Sequence, residues 1–281
     1  AVIVAESTQV TIYDGDDPDM PMWMVFNQGG SFMVYTNGNA LSGITALDGS
    51  LCWSGFRVGQ INFAKDFTQI WEQGYYDTHR NGISGRNAAG VSFDSTGPRI
   101  VHNTTNDVAM TVLPNAPIDA DTGLPVPTIA VATAGGISII KDTGTVVDIT
   151  TGSGGYTSMN RVSISPDGWV AWSQNDTRSA KAAPIPEQDK AYGFWTYGQD
   201  ANNDAYNFYE SHAYGTNLGN IPALVSASGG VKDHIFGKVV SSSDGLTLIG
   251  LQKSEPAGVY GDASLPLTAY VTSNYNTGWM N

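Results

Sequence analysis

Between Thr68 and Ala89 the run TQIWEQGYYDTHRNGISGRNAA brings Trp71, Glu72, Tyr75, Tyr76, Asp77, His79 and Arg80 close together in the chain. Aromatic faces beside carboxylate and guanidinium groups are what sugar recognition requires: a flat apolar platform for the ring, and a planar fork for hydroxyls or carboxylates. In this reading Trp71, Tyr75, Tyr76 and Arg80 are ligand-binding residues. Asp77 and His79 can form an acid/base couple, and Glu72 with Asp77 can supply the two carboxylates, about 5 to 10 Å apart, that glycoside cleavage uses. Glu72, Asp77 and His79 are therefore the residues to test for catalysis, as a glycoside hydrolase or polysaccharide lyase. The same group also suits a structural role, with the aromatics filling a groove between sheets and Asp77 pairing with Arg80 at the surface.

A second aromatic-rich stretch, Ala191 to Asn220, offers Tyr192, Trp195 and Tyr197 as further ligand platforms. Inside it, Asp200, Asn202 and Asp204 place oxygen ligands at alternating positions, as at the start of a calcium loop. The pattern is incomplete, because Ala205 stands where the sharp-turn Gly belongs and Glu210 falls one residue short of the bidentate position. Calcium is the one cofactor the residues point to, and a calcium-dependent lectin is one reading of the chain. Asp14, Asp16, Asp17 and Asp19, and again Asp119 and Asp121, form other oxygen-rich stretches that read as solvated turns. The sequence carries no G-x-S-x-G elbow, no H-E-x-x-H, no Gly-rich phosphate loop and no C-x-x-C pair. His79, His102, His212 and His234 are scattered without metal-ligand spacing.

The elements that must position these groups are strands. Only 14% of the 281 residues are charged, and Gly (33), Ser, Thr and Asn are plentiful, which favours strands and tight turns over exposed helices. A formal charge of −13 with no basic stripe argues against nucleic-acid binding. No apolar run reaches the ~18 residues of a membrane helix, so membrane insertion is not expected. Cys52, the only cysteine, lies between Leu51 and Trp53 and reads as a buried thiol.

Three Asp-Gly pairs, at Asp48, Asp167 and Asp244, each separate two runs that can alternate inward and outward, the strongest short-range signal of a β-hairpin. Their separations of 119 and 77 residues divide into units of about 39, and GGSFMVY (Gly29 to Tyr35) recurs as GGISIIK (Gly135 to Lys141) 106 residues on. A period near 40 is that of one four-stranded propeller blade. The expected fold is thus all-β, a single β-propeller over residues 1–281 with six or seven blades; a pair of two-sheet sandwiches is the alternative. Strands are expected at Gln9–Tyr13, Met22–Phe26, Phe32–Thr36, Arg99–His102, Thr128–Thr133, Arg161–Ser165 and Trp169–Ser173, among others, and the first and last strands are expected to pair and close the ring. Trp169 and Trp172 fall on opposite sides of their strand, so one of them is expected in the core. The two aromatic stretches are expected to be long loops on this scaffold, with parts of each able to form short edge strands.

ISPDGWVAWS resembles the S-P-D-G turn common in bacterial propeller families. VTIYDGDDPDMPMWMVF, ATAGGISIIKDTGTVVDIT and NRVSISPDGWVAWS resemble segments of tailed-bacteriophage tail and tail-fibre proteins, and NYNTGWMN resembles the run that leads there into a lectin-like sandwich. The resemblance covers about half the chain in patches. It implies a structural or recognition module of a larger virion protein, with other virion proteins or domains and cell-surface glycans as partners, and a virion or extracellular location. The absence of an initiator Met is consistent with a module excised from a longer chain. No active-site residue comes with the resemblance.

Overall fold

The computed structural model describes residues 1–151, 157–174, 179–192, 198–199, 206–209, 223–228, 233–239, 246–252 and 268–271. The chain opens with β1 (Val2–Ala5), β2 (Gln9–Tyr13) and β3 (Met22–Asn27), which form the first antiparallel sheet. A second sheet follows as an unbroken meander of β4 (Gly43–Leu47), β5 (Ser50–Ser54), β6 (Val58–Asn62), β7 (Phe67–Trp71), β8 (Tyr76–His79) and β9 (Val91–Asp94). The third contains β10 (Thr105–Thr111), β11 (Thr128–Thr133), β12 (Gly136–Ile140) and β13 (Val146–Thr151). The fourth begins with β14 (Met159–Ile164), β15 (Trp169–Gln174) and β16 (Ser179–Pro184). The chain then crosses back: β17 (Lys190–Tyr192) joins β13 in parallel, while β18 (Gly198–Gln199) and β19 (Tyr206–Tyr209) extend the fourth sheet. A fifth meander comprises β20 (Ala223–Ser228), β21 (Asp233–Val239), β22 (Leu246–Gln252) and β23 (Thr268–Val271). Among the described residues the only helical element is one 3₁₀ turn, Ile83–Gly85.

Turn chemistry explains the meanders. Asp48 (φ 45°) and Gly49 (φ 73°) make a two-residue connection with both central residues left-handed, the geometry whose twist matches that of the strands it joins, so Leu47 faces Ser50. At the second Asp-Gly pair, Ser165 Oγ accepts the Trp169 N–H (3.2 Å) and the Gly168 N–H donates to the Ser165 carbonyl (3.0 Å). The turn at Asp244 lies outside the described residues, but its flanks pair as expected, Val239 opposite Leu246.

The sheets stack face to face, and from the second sheet on the first strand of each lies against the first strand of the next: β4 on β10, β10 on β14, β14 on β20. This radial order is that of a β-propeller, whose innermost strands gather round one axis. Packing follows residue parity, because alternate side chains leave a strand on opposite faces. In the second sheet Leu51, Trp53, Ile61 and Ile70 pack with Val10, Ile12 and Phe26 of the first. The alternate residues Cys52, Val58 and Trp71 pack with Ile129, Val131 and Ile140 of the third. From the third, Ala130, Ala132, Ile137 and Ile139 turn the other way, onto Val162, Ile164, Val170 and Trp172. Covering both faces turns whole strands apolar, which is why TIAVAT and GISII are buried from end to end. Trp172 is the core residue of its pair and Trp169 is half-buried. Cys52 is fully buried, its Sγ 3.2 Å from Met110 Sδ, and burial pushes its thiol pKa far up.

Several expected elements differ. Phe32–Thr36 is not a strand: it makes one isolated bridge, Gln28 to Val34, and its apolar side chains Met33 and Val34 plug the seam between the first two sheets instead. Arg99–His102 is also irregular, with Ile100 wedged into the next seam and the Val101 N–H donating to Ser138 Oγ (2.9 Å). Much of Thr68–Ala89, expected as a loop, is sheet: β7 and β8 are its interior strands, with Trp71 opposite Tyr76. The stretch from Ala191 likewise contains the end of β17 and the short strands β18 and β19. The spacing of about 40 residues holds only from the first sheet to the second; later sheets begin 62, 54 and 64 residues after their predecessors, lengthened by extra strands and connections. Among the described residues no pairing joins the first sheet to the last.

Candidate functional site

The β7–β8 hairpin brings the predicted catalytic carboxylates together, and a residue from another turn holds them. The Glu72 N–H donates to the Tyr75 carbonyl (3.0 Å), closing a tight turn that puts Glu72 at one end of β7 and Asp77 one step into β8. Asp77 shares a face with Ile70, Gly59 and Trp53, the face packed on the first sheet. Arg57, just ahead of β6, enters from the same side. Its Nη2 lies 2.6 Å from Glu72 Oε2 and its Nη1 3.0 Å from Asp77 Oδ2. All three are withdrawn from solvent: Arg57 is 7% exposed, Glu72 2% and Asp77 0%. The guanidinium lies 4.2 Å from the centre of the Tyr35 ring, a cation–π contact that closes the cluster from above. The Thr105 hydroxyl fixes the preceding loop, accepting the Gly55 N–H (2.8 Å) and lying 2.9 Å from the Arg57 carbonyl.

Two carboxylates share one cation, so full ionisation would leave a net negative charge in a dry seam. Burial raises the pKa of Glu72, against the lowering effect of Arg57, and does the same to Asp77. Glu72 Oε1, Asp77 Oδ1 and Arg57 Nε have no hydrogen-bond partner.

His79 is buried on the same face as Asp77 but makes no hydrogen bond to it. Its Nε2 is 3.1 Å from the Ala88 carbonyl, which can only accept, so Nε2 donates there, and Nδ1 has no partner. The acid/base couple expected from spacing is therefore not formed. Asp77 pairs with Arg57 and not with Arg80, whose guanidinium is exposed and donates to Ser92 Oγ.

The aromatic residues divide. Trp71 and Tyr76 lie on the opposite face of the sheet, ring centres 5.8 Å apart, and line a cleft towards the third sheet. Tyr75 (46% exposed) meets Phe93 (58% exposed) edge-on at 6.1 Å and forms an open aromatic pair on the rim. Tyr192 is a buried core residue of β17, 6.1 Å from Trp172, and not an exposed platform. Trp195, Tyr197, Asp200, Asn202 and Asp204 lie outside the described residues.

The other acidic stretches serve turns. Asp14 Oδ1 accepts the Asp16 N–H (3.0 Å), Asp17 Oδ1 the Asp19 N–H (2.9 Å) and Asp119 Oδ1 the Asp121 N–H (2.9 Å). Among the described residues no three His, Cys, Asp or Glu side chains gather in a group that could hold a metal ion.

The residue missed from sequence is Arg57. It is the only charge between Asp48 and Lys65, set in an apolar stretch among strands. A lone guanidinium in such a stretch must find carboxylates when the strands pack. That signal is readable, although the identity of its partners is not.

No protein-family model matches the chain, and no curated protein sequence does. Solved structures similar to it include the Dos1 propeller (TM-score 0.41, 10% identity, 76% of this chain and 47% of that one). The chain thus spans about half the length of that structure. Another is virginiamycin B lyase from Staphylococcus aureus (TM-score 0.39, 7% identity, 86% of this chain and 74% of that one). No site comes to this chain from either. Its own sheets and the packing of their first strands define an all-β protein of propeller type.

Proposed function

We propose that the chain is a recognition and assembly module of a tailed-bacteriophage tail or tail-fibre protein, acting through its loops and rims on host-surface glycans or on neighbouring virion domains. The observation that carries a binding role over an enzymatic one is the state of Glu72 and Asp77: both are buried and tied to Arg57. A glycosidase needs its two carboxylates on either side of a sugar, one free to give a proton and the other to attack or activate water. Here the guanidinium occupies the place between them. The open aromatic pair of Tyr75 and Phe93 suits contact with a sugar face. The assignment to a virion rests on the resemblance of the Val10–Phe26, Ala132–Thr150 and Asn160–Ser173 segments to tail proteins.

The test is incubation with a panel of bacterial and algal surface polysaccharides followed by size-exclusion chromatography. Intact chains that co-elute with the protein are the expected result. Shortened chains would reverse the reading and make Glu72→Gln and Asp77→Asn the first variants to assay.

A further inference from the structure

We propose that the cleft between the second and third sheets is a binding site for a neutral saccharide; this rests on reading the chain as a glycan-recognition module and gives that recognition a place.

The cleft arises from one face of the second sheet. Val58, Trp71 and Tyr76 form a row across β6, β7 and β8, close to Ile129 and Ile140 of the third sheet. The rows beyond are polar: Gln60 stands directly opposite Gln69, and Asn62 lies between Ser50 and Phe67. There the sheets part, leaving about 440 Å³, roofed by the Leu124–Pro127 segment. That is within the roughly 300–1,000 Å³ of small-molecule sites. On the opposite face of the same sheet, apolar residues at the equivalent positions close the seam. Amides buried against a packed sheet would forfeit their hydrogen bonds, so polar side chains here go with open space.

The groups that converge are those a polyol requires. Each Gln amide both donates and accepts, as vicinal hydroxyls do. Gln60 Nε2 donates to Ser50 Oγ (3.1 Å), so that amide is held in place before any ligand arrives. Trp71 and Tyr76 supply the aromatic surface, and Trp71 Nε1, buried, has no partner. The charges select against anions. Lys65 at the mouth is bound to Asp119 and lies 3.6 Å from Asp121, and Lys141 Nζ donates to the Glu187 carbonyl (3.1 Å). Asp48 and Asp142 complete an acidic lip. A neutral sugar fits that balance, whereas a uronate or phosphate does not.

The experiment is saturation-transfer NMR on the whole chain with maltose, cellobiose, lactose and N,N′-diacetylchitobiose, and with a digalacturonate as the anionic control. At least one neutral disaccharide is expected to bind and the digalacturonate is not. The double variant Gln60→Met/Gln69→Met, which keeps side-chain volume and removes the amides, is expected to weaken binding at least tenfold with an unchanged circular dichroism spectrum. Should that variant fail to fold, Leu124→Trp, which fills the cleft from its loop wall, carries the same expectation. Binding unaffected by these changes but lost in Tyr75→Ala overturns the cleft and leaves glycan recognition at the rim. Failure of every disaccharide to bind while polysaccharides still co-elute with the protein also overturns the cleft alone. No binding of either kind overturns the cleft together with the recognition reading beneath it.

Discussion

The two faces of the second sheet use the same strands in opposite ways. Towards the first sheet, Leu51, Trp53, Ile61 and Ile70 close a dry seam, and the buried Glu72 and Asp77 beside it are both held by the buried Arg57. Towards the third sheet, Val58 and Trp71 close half a seam, and the uncharged Ser50, Gln60, Asn62 and Gln69 border open space. The residues with most evident chemical power are buried and paired, while the amides, which carry no catalytic signature, face the available volume. A charge in a dry seam must be neutralised where it stands; an amide can be satisfied by a ligand or by water.

The largest effect should come from breaking the closed face. Arg57→Ala leaves two buried carboxylates without their cation, and a loss of about 3–5 kcal/mol is expected, read by urea unfolding. Replacing the whole cluster, Arg57→Met/Glu72→Met/Asp77→Leu, should recover most of that loss, since apolar groups of similar volume often serve as well as a buried ion pair. If the triple variant is no better than Arg57→Ala, the cluster does more than neutralise itself. Next in size is Gly59→Ala. Gly59 stands opposite Trp53, and a Cβ there would lie 2.0 Å from the indole, so a cost of about 1–3 kcal/mol from overpacking is expected in the same assay.

A smaller effect is the pH dependence of the closed face. The pKa values of Glu72 and Asp77 are raised by burial, and those of Asp107 and Asp148 likewise. For a carboxyl raised in the folded state, the contribution to stability is present below its unfolded pKa, about 4, and is lost as pH rises through the folded value. Asp94, exposed at the end of β9, and Asp119, half-buried in its turn, are lowered by hydrogen bonds from Thr96 and Lys65 and act in the opposite direction. The melting temperature should therefore fall as pH rises from about 4 through the raised folded values, and Glu72→Gln should flatten that slope. An unchanged slope in Glu72→Gln would assign the dependence to Asp77, Asp107 and Asp148. The smallest effect on stability is expected on the open rim: Tyr75→Ala should stay within about 0.5 kcal/mol of the parent, yet reduce co-elution with any polysaccharide that the rim helps to hold.

Much of the scaffold was legible before the fold. The Asp48-Gly49 and Asp167-Gly168 hairpins form where the pairs stand, Gln9–Tyr13 and Thr128–Thr133 are strands with the predicted bounds, and Trp172 is the core member of its pair. Phe32–Thr36 misled because an apolar run can fill a seam without pairing, and periodicity does not separate those uses. Thr68–Ala89 misled in the other direction: its aromatics and polar residues read as a decorated loop, although Phe67–Trp71 and Tyr76–His79 are strands in which Thr68, Asp77 and His79 are buried. Of the candidate site, Glu72 and Asp77 were found as neighbours, but their owner Arg57 was not.

The amino-acid sequence by itself determined the β-hairpins, their turns and the alternation of faces, because a left-handed glycine, an aspartate at a turn and a period of two act between near neighbours in the chain. Only the tertiary structure decided that Asp77 meets Arg57 and not Arg80 or His79, that Tyr192 is core, and that Gln60 and Gln69 border a cleft. Those outcomes depend on which face of one sheet meets which face of the next, across contacts distant in sequence. Parity says that a side chain points away from its neighbour; packing alone says what it points at.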